Sequence, residues 1–261
     1  MAIIEIDHVS KAYEVEGEES TDALKNVSID IKEGEFVCIV GPSGCGKSTL
    51  LEIVAGLLNQ TGGEVRVDGK PVKGTSREIG VVFQDAALYP WRTIRRNIGL
   101  GLELSKAPKE KQKEQVEKYM ELTGLSDFAD KYPSQLSGGM KQRAGIARAL
   151  VMDPRVILMD EPFSALDYLT RCKLQEELMA IREKEKKTIL FVTHDINEAV
   201  YLADRVILLS PRPSVVQKEY VIKNNSATRD RRDSTLMKIA AEISADISRG
   251  ASTDEYIEYI I

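Results

Sequence analysis

Two kinds of apolar pattern run along the chain. In the first, apolar and polar positions take turns: Ile4, Ile6 and His8 alternate with Ile3, Glu5, Asp7 and Val9, and Val27, Ile29 and Ile31 alternate more cleanly with polar neighbours. That period belongs to half-buried strands. In the second, apolar residues come in unbroken runs: Phe36 to Val40, Val156 to Met159, Thr188 to Thr193 and Arg205 to Leu209. Such runs suit strands covered on both faces, as in a parallel sheet. Further strands are expected at Glu64 to Val67, closed by the turn pair Asp68-Gly69, and at Ile79 to Phe83.

Helical patterns separate these runs. Residues 108 to 122 are rich in Lys, Glu and Gln, with Val116, Tyr119, Met120 and Leu122 as an apolar stripe. A second helix is expected from Gly138 to Met152, stopped by Asp153-Pro154, and a third near 168 to 185. Leu236, Ile239, Ala240, Ile243 and Ile247 mark an amphipathic helix that would pack on the core. The acidic stretch Glu14 to Ser20 reads as an exposed loop. Strands alternating with helices imply a parallel sheet with right-handed crossovers, its ligand at the carboxyl ends of the strands. Gly41, Asp160 and His194 stand at such ends.

Between the run Phe36 to Val40 and the helical Thr49 to Ala55 lies Gly41-Pro-Ser-Gly-Cys-Gly-Lys-Ser48, a G-x-x-x-x-G-K-S turn in a strand–turn–helix context. Glycines there let successive backbone N–H groups converge on phosphate oxygens at a positive helix end. Gly41, Pro42, Ser43, Gly44, Cys45, Gly46, Lys47, Ser48 and Thr49 are therefore the expected nucleotide-binding residues. Lys47 would reach the β- and γ-phosphates, and Ser48 would give a hydroxyl to Mg²⁺. The expected fold is α/β: a P-loop NTPase core with a mostly parallel sheet, an N-terminal antiparallel β subdomain and an inserted α-helical subdomain. The core with its β subdomain would take residues 1–84 and 156–215, the helical subdomain 85–155, and a C-terminal helical tail 216–261.

Composition narrows the function. Hydrophobic residues make up 43% of the 261, enough for a substantial core. Lys plus Arg number 36 against 41 Asp plus Glu, a formal charge of −5 that gives no sign of a nucleic-acid surface. Arg229, Arg231 and Arg232 cluster, but Asp230 and Asp233 interrupt them, so a solvated face is expected. Three scattered cysteines, Cys38, Cys45 and Cys172, exclude C-x-x-C zinc or disulfide patterns and fit a reducing cytoplasm. Cys45 is read as a small residue filling the loop, or as a thiol whose pKa a helix N-terminus lowers. Met1 to Asp7 lacks the basic start of a signal peptide, and no stretch approaches the ~20 apolar residues of a membrane span, so membrane association is expected to come from a partner.

Other residues supply chemistry around a phosphate. Asp160, closing an apolar strand, is the expected Mg²⁺ partner through water, and Glu161 beside it the general base for an attacking water. His194, one of two histidines, could hydrogen-bond the γ-phosphate, whereas His8 is read as structural. Gln84, after Val81-Val-Phe83, could offer its amide to Mg²⁺ or to the attacking water. Leu136-Ser-Gly-Gly-Met-Lys-Gln-Arg143 is a second helix start suited to an anion, with Ser137 as N-cap and Gly138 and Gly139 allowing close approach. Two such ends in one chain suggest a head-to-tail dimer in which Ser137 and Gly139 of one copy close over ATP held by Lys47 of the other.

Gly41 to Ser48, Gln84, Leu136 to Arg143, Val156 to Glu161, Ser164-Ala-Leu-Asp167 and His194, in this order and spacing, resemble the nucleotide-binding subunit of an ABC transporter over about residues 1 to 215. The resemblance implies an ATPase with ATP and Mg²⁺ as cofactors. It implies that Tyr13 stacks on adenine, that Gln84 couples hydrolysis to a membrane partner, and that Asp167 communicates between the two sites of a dimer. Its partners would be a second copy or a paralogous ATPase subunit, two membrane permease subunits and, indirectly, a solute-binding protein. The chain would be peripheral, held by the permease at the cytoplasmic face of the membrane. Leu88-Tyr-Pro-Trp91, with Thr93-Ile94 and Asn97-Ile98, resembles the ATPases of nitrate, sulfonate and taurine importers, although Tyr89 replaces their usual second Leu. Trp91 could instead pack the helical subdomain or dock the permease.

The expected activity is thus ATP hydrolysis powering uptake of a small anionic solute. The alternatives are an ABC importer ATPase for a different small solute, or a soluble ABC ATPase acting on DNA or the ribosome. Long coiled coils or a second cassette, expected of the soluble kind, are missing from the sequence. A regulatory subunit with dead chemistry conflicts with intact Glu161 and His194, and a small-molecule kinase has no use for Leu136 to Arg143.

Overall fold

The computed structural model describes residues 2–14, 20–222 and 229–250. In chain order it opens with strands β1 (Ala2–Tyr13), β2 (Thr21–Lys32) and β3 (Phe36–Val40), helix α1 (Lys47–Val54), and strands β4 (Gly62–Val67), β5 (Lys70–Pro71) and β6 (Ile79–Val82). Helices α2 (Ile94–Ile98), α3 (Leu100–Leu104), α4 (Lys109–Leu122) and α5 (Gly138–Leu150) follow, then β7 (Val156–Asp160) and α6 (Tyr168–Glu185). The chain continues with β8 (Thr188–Val192), α7 (Ile196–Leu202), β9 (Arg205–Leu209), β10 (Val216–Val221) and α8 (Ser234–Gly250). It divides into two compact units, Met1–Ser76 with Thr188–Ile261, and Arg77–Lys187. The helical subdomain expected at 85–155 falls inside the second.

The first unit holds an antiparallel sheet in the order β2-β1-β4-β5. The alternation expected along β1 breaks at His8, which adopts φ 49 and turns its side chain to solvent, so that Val9 instead of His8 enters the core. Gly63 opposite makes room for this bulge, since a Cβ there would lie 2.3 Å from the His8 carbonyl oxygen. The acidic loop expected at 14–20 lies largely outside the described residues.

In the same unit β3 runs parallel to both β8 and β9, and β10 pairs antiparallel with β9. All of Phe36–Val40 and Thr188–Val192 is buried, as unbroken apolar runs require, and the Phe36 and Phe191 rings meet at 5.8 Å. The tail differs from expectation at its start. Residues 216–221 are an edge strand rather than helix, with a side-chain pattern too exposed to carry an apolar signature. Helix α8 packs on α7 and buries Leu236, Ala240, Ile243 and Ile247. Asp246 on α8 accepts from Lys218 Nζ at 2.8 Å and the Tyr220 hydroxyl at 2.6 Å, both on β10, and these bonds hold its carboxyl below the usual range.

Arg232 of the basic cluster is exposed as expected, but Arg229 and Arg231 turn inward. The Arg229 side chain is only 4% exposed. It donates to the Tyr201 and Ala203 carbonyls at 2.7 Å each and pairs with Asp204 at 3.3 Å, while Arg231 lies 3.7 Å over the Tyr201 ring. Carbonyls at the end of a helix attract cations, so the C-terminus of α7 draws Arg229 inward.

In the second unit β6 and β7 pair in parallel, with Ile79 opposite Val156 and Val82 opposite Met159. Helix α5 lies on β6, where a Cβ on Gly80 would come within 2.9 Å of the Ala149 carbonyl. Val116, Tyr119 and Met120 of α4 are buried, and Leu122 is half-buried. Arg143 of α5 pairs with Glu177 of α6 at 2.9 Å.

Candidate functional site

The loop Gly41 to Gly46 is shaped by its glycines where space is shortest. A Cβ on Gly41 would lie 2.9 Å from both the Leu209 carbonyl and Cys45 Sγ. Gly46 takes φ 101, with Leu24 Cδ2 2.9 Å from where its Cβ would be. Gly41, Pro42, Cys45, Gly46 and Lys47 are buried, whereas Ser43, Gly44 and Ser48 face solvent. Gly46 is also the N-cap of α1 and brings no side-chain oxygen to cap it. Lys47 Nζ donates to the Gly41 carbonyl at 2.8 Å and the Pro42 carbonyl at 2.9 Å, which fixes a cation inside the loop. A helix N-terminus and a fixed cation at one place are the elements that suit an anion.

Of the two readings of Cys45, the structure favours the packing one. The residue is 1% exposed, and burial pushes its thiol pKa up despite the nearby Lys47. Its carbonyl accepts from the Ser214 hydroxyl, which also bonds the Ser210 carbonyl at 2.9 Å, so the loop is braced from behind. Tyr13, half exposed at the end of β1, reaches Thr49 Oγ1 at 3.3 Å, and Lys11 Nζ stands 5.1 Å from its ring centre. An aromatic face is thereby held beside the first turn of α1.

His194 follows β8. Ile39 stands opposite Val192, and Thr193 N–H donates to the Ile39 carbonyl at 3.2 Å, so His194 emerges at the same sheet edge as Gly41. It is exposed, and Asp195 behind it caps α7 by accepting from Glu198 N–H at 3.1 Å. The first unit thus brings together Tyr13, the loop and His194.

The second unit gathers the remaining candidates. Because Val82 is opposite Met159, Gln84 and the Asp160-Glu161 pair leave adjacent parallel strands at the same end. Gln84 is exposed; Asp160 and Glu161 are half-buried. Glu161 adopts φ 42, the left-handed region, and the Ser164 hydroxyl donates to its carbonyl at 2.9 Å. A non-glycine residue held there stores about 1–3 kcal/mol, a strain that clusters at functional sites.

Ser137 caps α5 by accepting from Met140 N–H at 3.3 Å. The two glycines after it differ. Gly139 is needed by the chain's own packing, since a Cβ would fall 2.5 Å from Thr170 Cγ2, while Gly138 is exposed and meets only Leu166 at an ordinary 3.6 Å. Asp167 is the N-cap of α6, and its bond from Thr170 keeps its carboxyl below the usual range. Sequence reasoning missed the buried Asn97 and Gln142 and the half-buried Arg148 behind these positions, because each is unremarkable within a helix.

Each unit by itself offers hard oxygen donors, the Ser48 hydroxyl in the first and the Asp160 carboxylate and Gln84 amide in the second. They suit Mg²⁺, which keeps several waters and takes further ligands from substrate phosphates. Among the described residues no cluster of three or more His, Cys, Asp or Glu could hold a metal alone, and no helix is long and apolar enough to cross a membrane.

Comparison with known proteins agrees with this geometry. The family profile described as ABC transporter matches residues 24–164. The nitrate import ATP-binding protein NrtD of Synechocystis sp. is 43% identical over 244 residues, covering 90% of this chain and 91% of its own. The aliphatic sulfonates import ATP-binding protein SsuB of Bacillus cereus is 42% identical over 249 residues, covering 95% and 96%. Among solved structures, a dimeric ATP-binding cassette in a post-hydrolysis state, bound to ADP and Pi, matches with a TM-score of 0.75 at 38% identity, covering 85% of this chain and 99% of that one. A glycine loop with a fixed cation, half-buried carboxylates at the end of β7 and kinship along nearly the whole length lead to one conclusion: the chain belongs to the ABC transporter family, as an ATP-binding and ATP-hydrolysing subunit.

Proposed function

We propose that this chain powers the import of a small anionic solute of the nitrate, sulfonate or taurine type through two membrane permease subunits, with a solute-binding protein delivering the cargo. The observation that carries this reading is similarity over 90% or more of the chain to subunits named for nitrate and sulfonate import. Trp91, which is 70% exposed, is a surface residue and takes no part in packing a core, as contact with a permease would require. The chain would sit at the cytoplasmic face and work as a dimer with itself or a paralogue.

In this reading Lys47 and the first turn of α1 hold the β- and γ-phosphates, and Tyr13 lies against the base. Ser48, Gln84 and, through water, Asp160 would hold Mg²⁺, whose charge would offset that of the phosphates. Glu161 accepts the proton of the attacking water. His194 donates a hydrogen bond to the γ-phosphate, and Ser137, Gly138 and Gly139 face the nucleotide of the other copy. Asp167 links the two sites.

Uptake of labelled nitrate, taurine and an alkanesulfonate by cells carrying the wild-type chain, Lys47→Ala or Glu161→Gln tests the proposal. Loss of one uptake activity in both variants is expected. Purified Glu161→Gln should keep ATP and lose hydrolysis by a factor of about 10²–10⁴. Hydrolysis at the wild-type rate would refute the general-base role, and unchanged uptake of all three solutes would refute the solute class.

A further inference from the structure

The segment from Phe83 to Thr93 joins Gln84 to the exposed pair Tyr89 and Trp91 and contains neither helix nor strand. Its carbonyls are nevertheless taken up one after another by side chains from helices. Gln142 Nε2 donates to the Phe83 carbonyl at 3.2 Å. Arg148 donates through Nη2 to the Ala86 carbonyl at 2.6 Å and through Nη1 to the Ala87 carbonyl at 2.7 Å. At the far end Asn97, fully buried, donates to the Tyr89 carbonyl at 3.1 Å and accepts from Tyr89 N–H at 2.7 Å.

Gln142, Gly145 and Arg148 form one row along α5, three residues apart. Gly145 is the gap in that row: a Cβ there would lie 3.3 Å from the Ala86 Cβ, so the bare helix lets the segment settle between the two polar side chains. Ala87 is held at φ 45, left-handed for a residue with a Cβ, while its carbonyl and that of Ala86 converge on a single guanidinium. Only the planar fork of Arg presents parallel donors to two neighbouring carbonyls, which the point charge of Lys does not.

We infer that Arg148, supported by Gln142, is a positioning residue that fastens the Gln84 segment to α5, the helix that begins at the Ser137 cap. Gln84 and Ser137 then travel as one body, and any shift of α5 carries Gln84 with it. The clamp rests on hydrogen bonds alone; its effect on hydrolysis rests on the role proposed above for Gln84.

Hydrogen exchange and steady-state hydrolysis on the full chain test both parts. In Arg148→Met the amides of Ala87 and Tyr89 are expected to exchange about tenfold faster, with those of β7 unchanged as the control for folding. Arg148→Lys, which keeps the charge and loses the fork, should fall between. The same Met variant should lower kcat about tenfold with ATP affinity kept within about twofold. In a Gln84→Ala background it should cost less than about a further twofold, the mark of two residues acting through one route. Unchanged exchange in both Arg148 variants overturns the clamp, and a full, multiplicative loss in the Gln84→Ala background overturns its route to hydrolysis. Should Gln84→Ala alone hydrolyse ATP normally, the role given to Gln84 fails, while faster exchange still upholds the clamp.

Discussion

Helices α1 and α5 both begin beside glycines, and the chain finishes the two ends in opposite ways. Gly46 opens α1 with a left-handed backbone and no acceptor of its own, and Gly41, Pro42, Cys45 and Lys47 are buried around it. Ser137 opens α5 with a hydroxyl that already accepts from Met140 N–H, and Ser137 and Gly138 face solvent. Both ends carry the same helix dipole. What separates them is the cap residue: Ser137 commits its hydroxyl to Met140 N–H inside the chain, and Gly46 has no side chain with which to do so. In the function proposed above, the first end encloses a phosphate and the second meets one already held by the other copy.

The contrast breaks most easily at the cation. Lys47→Ala should weaken nucleotide binding by about 10- to 100-fold, the worth of hydrogen bonds to a charged group, as read by titration with a fluorescent ATP analogue. No change would mean that α1 grips no more firmly than α5. Gly46→Ala should come next: a Cβ at φ 101 and 2.9 Å from Leu24 Cδ2 is expected to cost about 1–3 kcal/mol, seen as a lower Tm that added ATP only partly restores. The smallest effect belongs to Ser137→Ala. Loss of that cap should cost about 1 kcal/mol in denaturant titration, and nucleotide affinity of the single chain should stay as it was. If affinity fell as far as in Lys47→Ala, the two ends would be doing the same task within one chain.

Much of this was legible in the sequence where burial is uniform. The run Val156 to Met159 became a buried strand, and α6 spans Tyr168–Glu185 as its pattern required, because unbroken apolar stretches and capped amphipathic ones each have one comfortable conformation. Strand β10 was not legible, since an edge strand buries Tyr220 and leaves Gln217, Lys218, Glu219 and Val221 to water. His8 misled because a bulge resets the side-chain alternation without leaving any mark in composition. Arg229 misled, and Arg148 went unread, for a shared reason. Each is an Arg drawn inward by backbone carbonyls, and a carbonyl has no letter in the sequence. The ends of the phosphate loop were readable as chemistry, whereas what holds the Gln84 segment could be found only from side chains on a helix distant in sequence.

Trp91 is the one tryptophan of the chain, 70% exposed and set edge-on to Tyr89 at 5.3 Å. The protein therefore carries a built-in fluorophore on the very segment that bears Gln84. Its emission starts from the red-shifted maximum of an indole in water, and any surface that settles over Trp91 would move that maximum toward the blue, so association at this face can be followed by light alone, without a label.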